Sequence, residues 1–209
     1  MLNRLAELAM TRSVFHFEAD LQHALAWHLH EHDPSTNVRL EYRTSMNGSD
    51  GYIDILLRSS KSSTGIELKY KTNETTITQN GETFSLRKQG AHDQARYDFI
   101  KDISRLESFV KQNDGDCGYA VFITNDVGYW NPPRRPDTVD RDFRMHDGRV
   151  LSGVLSWQGD FKDGTVAGRT APIELKHEYT LQWNDFADIP DVKRGLFKSL
   201  VVRIGHNVG

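Results

Sequence analysis

The sequence predicts an α/β protein in which helices cover a central mixed β-sheet. Residues 37–43 and 65–71 alternate apolar and polar side chains, which is typical of half-buried strands. Residues 90–112 repeat apolar side chains at steps of three and four, which indicates an amphipathic helix. Residues 119–124 form a continuous apolar run, as expected for a strand buried on both faces. Helices packed on a sheet bury all of these apolar surfaces together.

The length and composition indicate one soluble globular domain. The chain has 209 residues, of which 37% are hydrophobic, and that proportion is enough for a core and excludes global disorder. We expect a core over residues 1–139 and a β-rich C-terminal extension over 140–209, packed together as one continuous domain. The single cysteine, Cys117, excludes a disulfide framework and a cysteine-rich zinc site.

The charge and the N-terminus bear on location and partners. The formal net charge of −3 does not indicate nucleic-acid binding, but a local basic surface is enough to contact phosphates. No apolar run reaches the length of a membrane-spanning helix, and the acidic N-terminal segment lacks the apolar stretch of a secretory signal. We therefore expect a cytoplasmic protein with no membrane partner.

The first half of the chain predicts one helix and three strands. The helix covers residues 11–32, with Thr11 or Ser13 as its cap and Pro34 just past its end. Strands follow at 37–43, 51–57 and 65–71, and a polar linker predicts that the last two form a hairpin. Residues 72–87 are polar and are expected to form a loop.

The second half continues with a helix, a strand and a β-rich tail. The helix at 90–112 is expected to end at Gly115 and Gly118, and the buried strand at 119–124 follows. Three prolines place residues 129–136 in an irregular loop. The tail contains three segments that resemble strands, at 150–157, 172–183 and 200–205.

Charged residues interrupt two of the predicted strands. Side chains alternate along a strand, so Glu67, Lys69 and Lys71 point to one side and the apolar residues between them to the other. Asp54 lies within an otherwise apolar strand, where its β propensity is poor. The hairpin places Asp54 opposite Glu67 or Leu68, so two carboxylates and an ammonium group are expected within a few ångströms.

This grouping suits a divalent cation. Two carboxylates, a backbone carbonyl and waters form the oxygen cage that Mg²⁺ prefers, and a neighbouring lysine can orient water or stabilise phosphoryl charge. Glu18 lies on the apolar stripe of the first helix, where a carboxylate needs a partner, and a metal site would supply one. Lys71 points into the same cleft, and we expect it to contact a phosphate next to the one at the metal.

The spacing resembles a known signature. Asp54, a gap of twelve residues and then Glu67-Leu68-Lys69 resemble the D…ExK motif of the PD-(D/E)xK nuclease superfamily, which includes restriction endonucleases and repair nucleases. The superfamily's restriction-endonuclease-like core of helix, three strands, helix and strand is similar to the predicted order over residues 11–124. One departure is Ile53, which stands where the nominal proline would be.

The resemblance implies a metal-dependent endonuclease that acts on double-stranded DNA in restriction, phage defence or repair and leaves a 5′-phosphate. It implies Mg²⁺, with Mn²⁺ as a substitute, held by Asp54, Glu67 and the Leu68 carbonyl with help from Glu18, and Lys69 as the residue that positions or activates water. The following helix is similar to one that several members place beside the scissile phosphate, and its candidate substrate contacts are Gln94, Arg96 and Tyr97. A homodimer or a partner subunit is left open.

Plainer alternatives exist for most of these residues. Asp54, Glu67 and Lys69 can form cross-strand salt bridges on an exposed sheet face. Glu18 can be a surface residue paired with His16 or Gln22. For the whole protein, the alternatives are a catalytically inactive nuclease-fold module that binds nucleic acid or protein, and a β-rich interaction protein that acts through its tail.

Other features of the sequence are assigned structural roles. Glu174-Leu175-Lys176 repeats the ExK pattern, but its upstream aspartates lie in a glycine-flanked turn, so we expect a solvated strand face. Asp102, Arg105 and Glu107 are expected to form ordinary ion pairs along the helix. The loop at Tyr129-Trp130 is expected either to pack or to stack on bases.

Overall fold

A six-stranded mixed sheet forms the centre of the protein. The computed structural model describes residues 1–46, 49–60, 62–111, 116–161 and 163–205. The strands lie in the order β1-β2-β3-β6-β10-β9, and all neighbours are antiparallel except the parallel pair β3–β6. Their bounds are β1 Asn37–Met46, β2 Ser49–Arg58, β3 Ser63–Lys71, β6 Cys117–Thr124, β9 Trp183–Asp188 and β10 Leu196–Ile204.

Two short hairpins and the helices complete the described chain. The hairpins are β4–β5 (Thr75–Gln79 and Glu82–Leu86) and β7–β8 (Val150–Leu155 and Ile173–Thr180). The helices are α1 Leu2–Thr11, α2 Glu18–His32, α3 His92–Val110 and the single turn α4 Asp163–Val166, with a 3₁₀ turn at Arg141–Phe143. Within the described ranges, no helix is both long and apolar enough to cross a membrane.

The two sheet faces carry separate cores, and β6 contributes to both. Ala120 and Phe122 belong to the core beneath α3, whereas Val121 and Ile123 belong to the core beneath α1 and α2. This alternation confirms the prediction of a strand buried on both faces. Strand β3 divides in the same way, so its apolar residues face α2 while Glu67 and Lys69 lie on the α3 side.

The structure corrects the predicted first helix. Residues 2–11 form α1, which the sequence analysis did not predict, and α2 begins only at Glu18. Thr11 and Ser13 cap no helix start: the N-cap of α2 is Phe17, which makes no side-chain cap hydrogen bond. The hydroxyl of Ser13 instead donates to Gln79 at 2.8 Å and ties the linker to β4.

The predicted loop at 72–87 contains the β4–β5 hairpin, whose Ile77, Phe84 and Leu86 side chains are buried. The predicted end of α3 also differs, since the helix stops at Val110 and Gly118 belongs to β6. Gly115 lies outside the described residues. In the tail, the predicted 172–183 strand divides into β8 and the start of β9, and β10 lies within the central sheet between β6 and β9.

Candidate active site

The sheet opens between β2 and β3. Their pairing runs from Arg58 opposite Ser63 to Ile55 opposite Ile66, and then stops. Beyond this point β2 continues beside β1, while β3 continues to Lys71 along β6. From Glu67 onward, the β2-facing edge of β3 therefore has no strand partner among the described residues, and its N–H groups need other acceptors.

Two carboxylates accept the N–H groups of this open edge. The Leu68 N–H donates to Asp54 Oδ2 at 2.6 Å, and the Tyr70 N–H donates to Glu18 Oε2 at 2.8 Å. Asp54 therefore lies across from the Glu67-Leu68 segment, as the hairpin geometry predicts. Glu18 is the first residue of α2, so its hydrogen bond also fixes the start of that helix on β3.

Strand β1 is irregular at the same level. Glu41 has a φ of 49°, and the β1–β2 register passes from Leu40 opposite Ile55 to Tyr42 opposite Ile53. The Gln22 amide connects β1 and β2 at this point, because it donates to the Asp54 carbonyl at 2.7 Å and to Glu41 Oε1 at 2.8 Å. Gln22 is thus not the partner of Glu18.

The α3 side of β3 adds two charged residues to the site. Lys69 Nζ lies 2.6 Å from Asp102 Oδ2 and donates to the Leu68 carbonyl at 3.1 Å. Arg105 Nη2 lies 3.2 Å from Glu67 Oε1, and Arg105 Nη1 donates to Asp102 Oδ1 at 3.0 Å. The predicted Asp102–Arg105 ion pair within the helix is present, but both of its members also reach the strand, which the sequence did not reveal. The prediction was wrong for Glu107, whose carboxylate accepts main-chain N–H groups of β8 and pairs with no cation among the described residues.

Burial weakens two acids of the site, Asp54 and Glu67. Burial raises the pKa of Asp54 to about 6, although the Leu68 N–H and Lys69 oppose the change. Glu67 is only 3% exposed, and burial together with the negative charges of Asp102 and Asp54 raises its pKa well above the ordinary value. Burial disfavours the charged form of Lys69, but the surrounding carboxylates, Asp102 first, outweigh it and raise the pKa of the ammonium group.

Two buried oxygens of the site, Glu67 Oε1 and Asp102 Oδ2, have no aligned hydrogen-bond donor among the described residues, although Lys69 Nζ lies 2.6 Å from Asp102 Oδ2. Arg105 lies close to Glu67 Oε1, but its N–H groups are not aligned for a hydrogen bond to that atom. A buried acceptor without a donor is unfavourable unless a cation, a proton or water satisfies it.

The oxygens at the open edge are of the type that Mg²⁺ prefers. Asp54, Glu67 and the Leu68 carbonyl supply hard oxygen donors, and Glu67 Oε1 is the unsatisfied one. Among the described residues, no three His, Cys, Asp or Glu side chains are grouped closely enough to hold a metal ion as they stand. Binding would therefore need these side chains to rearrange.

Lys71 lies at the mouth of the site, and its Nζ is 3.8 Å from Glu18 Oε2. The two side chains are 29% and 41% exposed, so this end of the cluster is open to solvent while Glu67 is covered. His16, the other suggested partner of Glu18, instead pairs with Glu82 at 2.9 Å.

The structure does not bring Arg96 or Tyr97 to this cluster. Arg96 is 5% exposed and binds Asp140 Oδ2 at 2.8 Å and a main-chain carbonyl of the 126–131 loop. Tyr97 is buried against Phe143 and Trp157, and its hydroxyl donates to a main-chain carbonyl at 2.8 Å. Both side chains hold the C-terminal half of the chain against α3.

Gln94 also points toward the C-terminal half, where its amide donates to the Gly164 carbonyl at 2.9 Å. In the nearby loop, Tyr129 and Trp130 are buried, which agrees with a packed loop rather than a base-stacking surface. Glu174 and Lys176 pair with each other on an exposed face of β8, as predicted.

Comparison of the chain with protein-family models, curated proteins and solved structures found no match.

Proposed function

We propose that this protein is a metal-dependent nuclease that hydrolyses phosphodiester bonds, with double-stranded DNA as its expected substrate. The observation that carries the proposal is the convergence of Asp54, Glu67 and Lys69 where β2 leaves β3, with a buried Glu67 oxygen that lacks a donor. A perturbed acid pair beside an ammonium group is more typical of a reactive site than of a solvated sheet face.

The groups that would hold Mg²⁺, or Mn²⁺ in its place, are Asp54, Glu67 and the Leu68 carbonyl, with Glu18 assisting. When bound, such an ion polarises a phosphoryl oxygen and lowers the pKa of a bound water.

The two lysines of the site would then act through their positive charge, and neither would accept a proton from the attacking water. Lys69 stays protonated because Asp102 raises its pKa, so it is suited to orient the attacking water and to stabilise negative charge on the phosphoryl group. Lys71, at the open mouth, is suited to bind a neighbouring phosphate.

We assign the fold to the restriction-endonuclease-like type on the order of its elements. The order α2, β1, β2, β3, α3, β6 agrees with the core of that superfamily, and the D…ExK residues occupy β2 and β3. The β4–β5 hairpin lies as an insertion before α3, and β10 and β9 extend the sheet beyond β6. A role in restriction, phage defence or repair follows from this likeness alone.

One observation favours the second candidate, a catalytically inactive nuclease-fold protein that binds nucleic acid or protein. Asp102 and Arg105 neutralise Lys69 and Glu67 within the protein, so the cluster is nearly balanced without a metal ion. The presence of all three D…ExK residues argues against this alternative.

Cleavage assays separate the two candidates. Plasmid, linear and single-stranded DNA would be incubated with Mg²⁺, Mn²⁺, Ca²⁺ or EDTA. We expect cleavage in Mg²⁺ and Mn²⁺ and none in EDTA, with Asp54→Ala and Glu67→Ala inactive. Glu174→Ala is the matched control, because it removes the glutamate of the second ExK pattern from an exposed strand face. A Glu67→Ala protein that cleaves normally would remove the basis of the assignment.

A further inference from the structure

Four charged side chains join β3 to α3 in an alternating chain. Lys69 contacts Asp102 at 2.6 Å, Asp102 contacts Arg105 at 3.0 Å, and Arg105 contacts Glu67 at 3.2 Å. Glu67 and Lys69 share one strand face, and Asp102 and Arg105 share one helix face because they are three residues apart. The chain therefore couples the position of the acid to that of the ammonium group.

Arg105 occupies the centre of this arrangement. Its Nη1 binds Asp102 on α3, while its Nη2 lies beside Glu67 on β3 and donates to the Tyr52 carbonyl on β2. The contact with Glu67 is the longer of its two ion pairs and is not aligned as a hydrogen bond. The Arg105 guanidinium thus lies beside Glu67 Oε1, a buried oxygen that has no aligned donor among the described residues.

We propose that Arg105 is a positioning residue which acts as the counter-ion of Glu67 in the metal-free protein and gives up Glu67 when a divalent cation binds. This inference depends on the proposed function, because it takes Glu67 as a metal ligand. The two carboxylates contact different nitrogens of Arg105, so the contact with Glu67 can break while the one with Asp102 remains. Asp102 then keeps both Arg105 and Lys69 in place.

This arrangement makes metal binding a competition. A cation must displace the guanidinium from Glu67, so Arg105 lowers the metal affinity while it supports a buried carboxylate that would otherwise be unpaired. Removing Arg105 should therefore tighten metal binding and weaken the metal-free fold.

Calorimetric titration with Ca²⁺ alone tests the proposal without reference to cleavage. Arg105→Gln is expected to bind Ca²⁺ about tenfold more tightly than the wild type, with a lower melting temperature in EDTA. Lys71→Gln removes a positive charge from the open mouth of the same cluster and should tighten binding by about twofold or less. Arg169→Gln is the control. It removes a surface ion pair with Asp98, which lies on α3 as Arg105 does, and it should leave Ca²⁺ affinity unchanged.

The outcomes separate the inference from the proposed function. If Arg105→Gln binds Ca²⁺ no more tightly than Lys71→Gln, Arg105 acts only through its charge and the inference is overturned. Arg105→Lys is a second variant, whose single ammonium cannot make all three contacts. It should bind Ca²⁺ more tightly than the wild type, and equal affinity would also overturn the inference. If the wild type binds no Ca²⁺, or Asp54→Ala binds it equally well, the proposed metal site itself is wrong.

Discussion

Replacing Asp54 with Asn should stabilise the metal-free protein at neutral pH. Burial raises the pKa of this carboxyl from 3.8 to about 6. The folded state therefore binds the proton more tightly than the unfolded chain. The resulting stability is fully present below about pH 4 and is lost as the pH rises through about 6. The rise in the pKa of Asp54 from 3.8 to about 6 means that the free energy of unfolding is lower at pH 7.5 than below pH 4 by about 3 kcal/mol.

Asparagine keeps an oxygen for the Leu68 N–H and carries no charge, so Asp54→Asn should avoid most of this cost. We expect a gain of up to about 3 kcal/mol at pH 7.5, which corresponds to a rise of at most roughly 6–12 °C in melting temperature for a chain of this length. Urea unfolding in EDTA would be measured from pH 4 to 8, with Glu174→Gln as the surface control. The gap between Asp54→Asn and the wild type should open between about pH 4 and 6. Parallel pH profiles, or a variant less stable at pH 7.5, would refute the reasoning.

Three further predictions address metal, catalysis and substrate, and a fourth addresses packing. Mg²⁺ should raise the melting temperature of the wild type but not of Glu67→Ala, and equal shifts would place the ion elsewhere. Lys69→Ala should lower single-turnover cleavage by about 100-fold or more while leaving DNA affinity in Ca²⁺ nearly unchanged. Lys71→Ala should weaken DNA binding and reduce its salt slope by about one ion, and lost turnover with unchanged affinity would reverse the lysine roles. Arg96→Ala should lower the free energy of unfolding in urea by about 1–3 kcal/mol, because the buried Asp140 loses one of its two guanidinium partners while Arg144 remains; if Arg96 were a substrate contact, the variant would lose DNA affinity instead.

The elements that the sequence predicts best are those whose apolar face is packed along their whole length. Strand β6 and helix α3 are examples, because periodicity records burial directly. The start of α2 is placed too early because Val14 and Phe15, in the extended linker, are fully buried and continue the apolar pattern. The β4–β5 hairpin is missed because its few apolar residues lie in a polar segment.

The sequence indicates some residues of the candidate site and not others. Asp54, Glu67 and Lys69 are found because a charged residue in an apolar strand is unusual in the sequence itself. Asp102 and Arg105 are missed because a helix with an i, i+3 ion pair has the same sequence whether its partners lie on a strand or in water. Arg96 is wrongly predicted to lie at the candidate site, because its burial depends on an ion pair with Asp140, which is distant in the sequence.

The carboxylates at the open edge of β3 need an explanation beyond the edge itself. The Leu68 and Tyr70 N–H groups require acceptors, but an asparagine or a serine would accept them without the cost of burying a charge. Asp54 is nonetheless an acid whose pKa is raised by that burial, and no edge N–H of the described residues donates to Glu67. Capping the edge therefore explains the places of Asp54 and Glu18 but not the buried charge of Asp54. The proposed divalent cation would account for the buried charges of Asp54 and Glu67, so the variants that remove charge, and not the hydrogen bonds, test the proposed function.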